Sequence, residues 1–197
     1  RLDDAVKLIK GPKGTKVILT IKRVDGSIEE EIITRDVVEI EETYAKSTLI
    51  KKEDKNYGLI DLRQFYFDMQ NYKERNAASD VKKEIISLKK EGMEGLIIDL
   101  RGNGGGSLRT AVDMAGLFIK EGPIVQVASS GSKTEVLNDN DDEIVWNGPL
   151  VILVNELSAS ASEILAAAMQ DYKRAIVVGS KQSYGKGTVQ NLLDLNQ

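Results

Sequence analysis

The chain has 197 residues, an apolar fraction of 41% and a formal net charge of −4, and it contains no histidine and no cysteine. The missing side chains exclude a Ser-His-Asp triad, a cysteine nucleophile, disulfides and zinc sites built on Cys or His. The mild acidity gives no reason to expect nucleic acid as a partner, and no apolar stretch is long enough to cross a bilayer. A hydrolase made from this sequence must therefore take its general base from Lys, Asp, Glu or Tyr.

The first 36 residues predict a helix followed by a hairpin. Leu2, Val6 and Ile9 share one helical face, and strands over 16–22 and 28–33 flank an Asp-Gly turn. A unit of this size is too small to bury a core by itself.

The rest of the chain predicts strands that alternate with helices. The predicted elements are an extended stretch over 37–52, a charged turn over 51–56, a strand over 57–62, a polar loop over 69–76, a helix from Ser79-Asp80 to Gly92, a strand over 95–100, a helix over 107–120, a strand over 124–127, an exposed loop or loose hairpin over 129–142, a strand over 150–154, a helix after the serines that follow it, and a strand over 175–178. This alternation implies a largely parallel sheet covered by helices, which is an α/β fold.

Three consecutive glycines, residues 104–106, follow a predicted strand and precede a predicted helix. Such a run lets the backbone approach a bound group and turn its N–H groups toward it, although a tight turn is the plainer alternative. The dinucleotide fingerprint does not fit, because Ser107 occupies the place of its third glycine. Phosphate binding and oxyanion stabilisation both stay open from the pattern.

The segment from Gly179 to Gly187 at first looks like a phosphate-binding loop after a strand. Five residues separate Gly179 from Gly185 where that motif has four, and Gly187 follows Lys186 where the motif has Ser or Thr. A solvated loop lysine is the ordinary interpretation. The flanking glycines, together with the need for a base in a chain without histidine, favour a chemical role for Lys186.

Ser158, Ser160 and Ser162 stand where a strand gives way to a helix, a position rich in unpaired N–H groups. Ser160 and Glu163 have the spacing of a capping box, which alone would explain both residues. Periodicity does not choose among the three serines.

Four segments of the chain resemble a known family. They are IIDLRGNGGG over 97–106, SASASE over 158–163, AAAMQDY over 166–172 and YGKGTVQ over 184–190. They are similar to segments of the carboxyl-terminal processing, or tail-specific, proteases, which are serine peptidases with a Ser/Lys dyad. The resemblance implies a crotonase/ClpP-like α/β (α+β) protease core over residues 37–197. Residues 1–36 resemble the last part of that family's PDZ domain, so most of that domain is expected to be missing.

The resemblance also assigns roles. It makes Ser160 the nucleophile and Lys186 the general base, with Gln190 orienting the lysine and Asp171 in a supporting role. Lysine can accept a proton only when neutral, and burial can lower a lysine pKa by roughly 3–5 units. Residues 180–182 depart from the family pattern with an apparent extra residue, and they include a second amine, Lys181.

The oxyanion hole implied by the resemblance combines two backbone donors. One is the N–H of Ala161, just inside the helix, and the other is the N–H of Gly106, with Gly105 as the alternative. Losing one such donor typically costs about 3–4 kcal/mol of transition-state stabilisation.

The implied activity is that of a serine endopeptidase acting on polypeptides with accessible C-termini, membrane-associated substrates included, with no metal or organic cofactor. The implied location is the periplasm or cell envelope. Two alternatives stay open: a catalytically silent relative that binds polypeptide tails by strand addition, and an acyl-CoA-type enzyme on the same fold. With most of the PDZ domain missing, residues 1–197 alone are expected to show low or no peptidase activity.

Overall fold

The computed structural model describes residues 2–36, 44–68, 72–73, 75–129, 131 and 133–190. The chain divides into two compact units, residues 1–41 and residues 42–197. Within the described residues, none of the helices combines the length and apolarity that crossing a bilayer requires.

The first unit is a short helix and a hairpin, as predicted. It comprises α1 (Leu2–Ile9), β1 (Lys16–Lys22) and β2 (Ile28–Thr34), and the two strands pair antiparallel. The Arg35 guanidinium joins the helix to the hairpin by donating to the Ile9 carbonyl oxygen at 2.7 Å and to the Lys16 carbonyl oxygen at 2.9 Å.

The second unit is a mixed α/β structure around a central sheet. Its elements are β3 (Lys46–Lys52), β4 (Lys55–Asp61), α2 (Ala77–Lys90), β5 (Gly95–Asp99), α3 (Leu108–Gly116), β6 (Gly122–Val127), β7 (Glu135–Asp139), β8 (Leu150–Val154), α4 (Ala161–Asp171) and β9 (Ile176–Gly179). The sheet has five strands in the order β3-β4-β5-β8-β9. All neighbours are parallel except β3 and β4, so the expectation of a largely parallel sheet is confirmed.

The core lies between the sheet and the helices. Helix α3 contacts both α2 and α4, while α2 packs on β3 and β4, and α4 packs on β9. Fully buried side chains from strands and helices meet there, among them Ile60, Ile98, Ile152, Met114 and Leu165. Burying each such side chain contributes roughly 1.5–3 kcal/mol relative to leaving it exposed.

The β6–β7 hairpin forms a separate two-stranded sheet. Within the stretch 129–142, predicted as an exposed loop or loose hairpin, β7 pairs with β6, the strand that precedes the stretch. Residues 130 and 132 lie outside the described part of the chain. The predictions for 37–43, for 69–71 and for residue 74 also fall on residues that the structure does not describe.

The predicted start of α2 was wrong. The helix begins at Ala77 rather than at Ser79, because Asn76 is its N-cap and accepts the Ser79 N–H at 2.9 Å through Oδ1. An asparagine at this position satisfies one of the N–H groups that a helix start leaves unpaired.

The predicted end of α3 was also wrong. The helix stops at Gly116 instead of continuing to Lys120. The Leu117 carbonyl oxygen accepts the N–H groups of Val145 and Trp146, at 3.0 and 3.1 Å, so a distant segment takes the acceptor that a longer helix would use.

The charged turn predicted over 51–56 is shorter than expected. Strands β3 and β4 extend to Lys52 and from Lys55, which pair with each other, and only Glu53 and Asp54 form the turn. Glu53 has a φ of 55°, as a tight two-residue hairpin connection requires.

Candidate active site

Three connections meet at one edge of the sheet. Strands β5, β8 and β9 are neighbours and parallel, so their carboxyl ends lie side by side. They lead into three connections, which we call the glycine loop (residues 101–107), the serine turn (residues 155–160) and the lysine loop (residues 180–187). Crevices outside the carboxyl ends of parallel strands are the usual place for a site in such sheets.

Two of the three serines are buried and hydrogen-bonded inside the protein. The Ser158 hydroxyl donates to the Leu100 carbonyl oxygen at 2.8 Å and accepts the Asn155 N–H at 2.9 Å. The Ser162 hydroxyl donates to the Asn103 carbonyl oxygen at 3.0 Å. Both side chains are 0% exposed, so they hold the serine turn to the glycine loop rather than facing a ligand.

Ser160 differs from its neighbours. It is only partly buried and is the N-cap of α4, with a φ of 57° and a ψ of −114°. This backbone conformation is rare for a residue other than glycine, and such strain persists only where the surroundings enforce it. Ser160 lines a cavity of about 410 Å³ that Lys186 also lines.

The cavity has a mainly apolar lining. That lining comes from β6 and α4, namely Ile124, Val125, Ile164, Ala167 and Ala168. Asp171, at the end of α4, lines it as well. A second cavity of about 420 Å³ lies beside it along β6 and shares Asp171.

Asn103 anchors the glycine loop to its surroundings. Its buried side chain donates from Nδ2 to the Leu62 carbonyl oxygen at 2.8 Å and accepts the Gly105 N–H through Oδ1 at 2.8 Å. Its carbonyl oxygen accepts the Ala159 N–H at 3.0 Å. Asn103 was not predicted as a site residue, since an asparagine in a glycine-rich turn gives no sign of contacts that are distant along the chain.

Gly105 lies directly against the nucleophile candidate. A Cβ at this position would come within 2.8 Å of Ser160 Cβ and 3.0 Å of the Ala161 nitrogen, and its φ is +100°. Gly106, with a φ of +140°, lies against the Phe65 carbonyl. Gly105 and Ala161 are therefore brought together beside Ser160, whereas Gly104 has open space around it.

Lys186 is exposed in this chain. Among the described residues, no hydrogen bond joins Lys186 Nζ to Ser160 Oγ, although the two residues line one cavity. Gln190, four residues further on, is exposed as well.

Glu163 connects the two sides of the site. Its carboxylate accepts the Ser160 N–H at 2.7 Å, the Ser183 hydroxyl at 2.6 Å, the Gly185 N–H at 2.5 Å and the Lys186 N–H at 3.0 Å. The bond to Ser160 is the glutamate half of the predicted capping box. The three bonds to the lysine loop were missed, because no local pattern signals a contact across 20 or more residues.

Comparisons with known proteins agree on one family. A sequence model of peptidase family S41 matches residues 56–197. The tail-specific protease of Haemophilus influenzae is 46% identical over 198 residues, covering 100% of this chain and 27% of that protein. The carboxyl-terminal-processing protease of a Synechocystis strain is 36% identical over 196 residues, covering 99% of this chain and 43% of that protein.

A solved structure supports the same assignment. The photosystem II D1 C-terminal processing protease matches with a TM-score of 0.64 and 28% identity, covering 99% of this chain and 51% of that protein. The chain thus spans about a quarter to a half of the length of these relatives. Since the family match covers most of the chain and includes the glycine loop, the serine turn and the lysine loop, the chain belongs to peptidase family S41.

Proposed function

We propose that the protein to which this chain belongs is a serine endopeptidase with Ser160 as nucleophile and Lys186 as general base. The observation that carries the proposal is the different placement of the three serines. Ser158 and Ser162 are buried and bonded within the protein, while Ser160 lines the cavity that Lys186 shares.

The proposed reaction follows the usual order for a serine nucleophile. The neutral Lys186 amine removes the hydroxyl proton as Ser160 Oγ attacks the carbonyl carbon of the scissile peptide bond. The protonated amine then gives its proton to the departing amine of the substrate, which leaves an acyl-enzyme on Ser160. A water molecule, activated by the same lysine, releases the acyl group and restores the enzyme.

Two backbone donors are suited to the negative oxygen of the tetrahedral intermediate. The Ala161 N–H is in the first turn of α4, where N–H groups have no intrahelical partner and the helix dipole favours negative charge. The Gly105 N–H already donates to Asn103 Oδ1, which favours Gly106 as the second donor.

The supporting roles proposed for Asp171 and Gln190 rest on different observations. Asp171 lines the cavity at the carboxyl end of the helix that Ser160 begins. Gln190 follows Lys186 by four residues and carries no charge, so it could orient the amine without favouring its protonated form.

We further propose that the substrates are polypeptides with accessible C-termini, membrane-associated ones included, and that processing takes place in the periplasm or cell envelope. The names of the relatives support C-terminal processing. The apolar cavity beside Ser160 suits an uncharged side chain next to the cleaved bond. The helix and hairpin of residues 1–36 fit the closing part of a PDZ domain, which would present the substrate tail.

The exposure of Lys186 has a consequence for residues 1–197 tested alone. An amine that points into solvent and makes no contact with the Ser160 hydroxyl cannot take its proton, because a general base must lie within hydrogen-bonding reach of that proton. We therefore propose that this chain by itself cleaves substrates slowly or not at all, and that the whole protein with bound substrate brings Lys186 into contact with Ser160.

Substitution in the full-length protein tests the dyad. Ser160→Ala and Lys186→Ala should each lower kcat for a tailed substrate by at least about 10⁴-fold without changing the melting temperature, because each removes a group that takes part in the chemical step. Lys181→Ala is the matched control, since Lys181 is an exposed amine of the same loop, and it should keep activity within about threefold. Turnover retained by either dyad variant, or lost equally in the control, contradicts the assignment.

The exposure of Lys186 also favours a second candidate, a catalytically silent relative that binds polypeptide tails. Labelling of the full-length protein with a fluorophosphonate separates the two. An adduct on Ser160 that disappears in Lys186→Ala identifies the enzyme, whereas tail binding with no adduct at alkaline pH identifies the binding protein.

A further inference from the structure

We infer that Glu163 is the positioning residue that holds the lysine loop against the nucleophile, a role that rests on the proposed Ser160–Lys186 reaction. One carboxylate oxygen, Oε2, accepts the N–H groups of both Ser160 and Lys186, at 2.7 and 3.0 Å. The other oxygen, Oε1, accepts the Ser183 hydroxyl and the Gly185 N–H, at 2.6 and 2.5 Å. A single side chain thus fixes the backbone of the nucleophile relative to that of the base.

Helix capping does not account for this arrangement. A capping box requires only the bond from the Ser160 N–H to the Glu163 carboxylate. The other three donors lie 20 to 23 residues further along the chain and belong to a different connection of the sheet. These three bonds therefore position the loop rather than end a helix.

Little else ties this part of the lysine loop to the serine turn. The Tyr184 N–H donates to the Ser158 carbonyl oxygen at 3.0 Å, and Tyr184 itself is 66% exposed. Gly185, Lys186 and Gly187 are exposed as well. Loss of the Glu163 contacts should therefore free the loop without disturbing the buried core.

The carboxylate form suits this role better than any neutral side chain. Partial burial raises the pKa of Glu163, but the hydrogen bonds from Ser183, Gly185, Ser160 and Lys186 outweigh it and hold the pKa below its usual range. An ionised carboxylate only accepts hydrogen bonds, whereas a glutamine presents an NH₂ group that donates them. In Glu163→Gln that NH₂ group would face N–H donors, so the four bonds could not all re-form.

The experiment compares Glu163→Gln with Glu156→Gln in the full-length protein. Glu156 is a matched control because it is an exposed carboxylate near the site that accepts the Ser180 hydroxyl at 2.7 Å and, among the described residues, no donor from the 183–187 segment. Amide hydrogen exchange over 183–187 should be at least about tenfold faster in Glu163→Gln and unchanged in the control. In the same variant kcat should fall about 30- to 100-fold while KM stays within about threefold, because misplacing a catalytic group by about 1 Å can cost that much.

Each outcome decides a separate claim. Unchanged exchange in Glu163→Gln overturns the structural role, whatever the activity. Faster exchange with unchanged kcat overturns the positioning role. Activity retained in Ser160→Ala would instead contradict the proposed Ser160–Lys186 reaction. The hydrogen-exchange result would still decide whether Glu163 holds the lysine loop.

Ser183→Ala provides a second variant should Glu163→Gln not fold. It removes one donor to Oε1 and leaves the carboxylate, so both effects should be present but smaller, with kcat lowered about 3- to 10-fold. Exchange and kcat that both match the wild type in Ser183→Ala contradict the inference.

Discussion

The serine turn and the lysine loop differ in how the rest of the chain holds them. The serine turn is fixed from inside, because Ser158 and Ser162 are fully buried and bonded to backbone carbonyls of the glycine loop region. The lysine loop lies on the surface, and residues 185–187 are exposed. Among the described residues, the Glu163 carboxylate in the first turn of α4 accepts three hydrogen bonds from this loop, and the serine turn accepts two more, at Glu156 and at the Ser158 carbonyl oxygen.

This difference suggests that the serine turn is held fixed while the lysine loop can move. A nucleophile and its oxyanion donors are effective when they are preorganised, which a buried turn provides. Elements that move during function come from the less stable parts of a structure, which have exposed backbone and few buried contacts. In the proposed dyad, the lysine loop would thus be the half of the site that a bound substrate or another domain brings into position.

The largest effect is expected from Gly105→Ala, a substitution in the glycine loop where that loop packs against the serine turn. The added Cβ would come within 2.8 Å of the Ala159 carbonyl oxygen and of Ser160 Cβ, at a φ of +100°. We expect kcat/KM to fall at least about 100-fold and the free energy of unfolding to fall by about 1–3 kcal/mol, because the backbone must shift beside Ser160, the proposed nucleophile.

The matched control for this substitution is one residue away. Gly104 has no heavy atom within 4 Å of an added Cβ. Gly104→Ala should therefore stay within about threefold of wild-type activity and about 0.5 kcal/mol of its stability. Equal losses in peptidase assays and denaturant titrations of the two variants would contradict the close packing described for Gly105.

Smaller effects are expected from two serine substitutions, one in the serine turn and one in the lysine loop. Ser158→Ala would leave the Asn155 N–H without its buried partner and would remove one of the two donors to the Leu100 carbonyl oxygen, so the free energy of unfolding should fall by about 1–3 kcal/mol. Ser183→Ala, on the lysine loop, should cost less than about 1 kcal/mol and act mainly on kcat. Denaturant unfolding and steady-state kinetics on both variants measure the contrast, and a greater loss of stability in Ser183→Ala would reverse it.

Much of the fold was predictable because its signals are local. The apolar run at 150–154 and the strand segment at 16–22 before the Asp-Gly turn predicted the bounds of β8 and β1 as the structure has them. The start of α2 and the end of α3 were missed, because a cap at Asn76 decides the first and distant donors to the Leu117 carbonyl oxygen decide the second. Local propensity says little about such tertiary contacts.

The candidate site shows the same limit. Sequence pattern and family resemblance identified the serines, the glycines and Lys186, but spacing could not choose among the serines. Their different burial depends on hydrogen bonds that span 58 and 59 residues. The contacts of Glu163 with the lysine loop likewise join parts of the chain that are 20 to 23 residues apart and that β9 separates.

The most direct test of the account is the distance between Ser160 Oγ and Lys186 Nζ in a structure of the full-length protein with a substrate-derived peptide bound. We expect about 2.6–3.2 Å, with the amine shielded from water by the apolar wall of the cavity, since a general base must lie within hydrogen-bonding reach of its proton. A lysine side chain that remains in solvent, more than about 6 Å from the hydroxyl in the peptide-bound protein, would contradict the dyad.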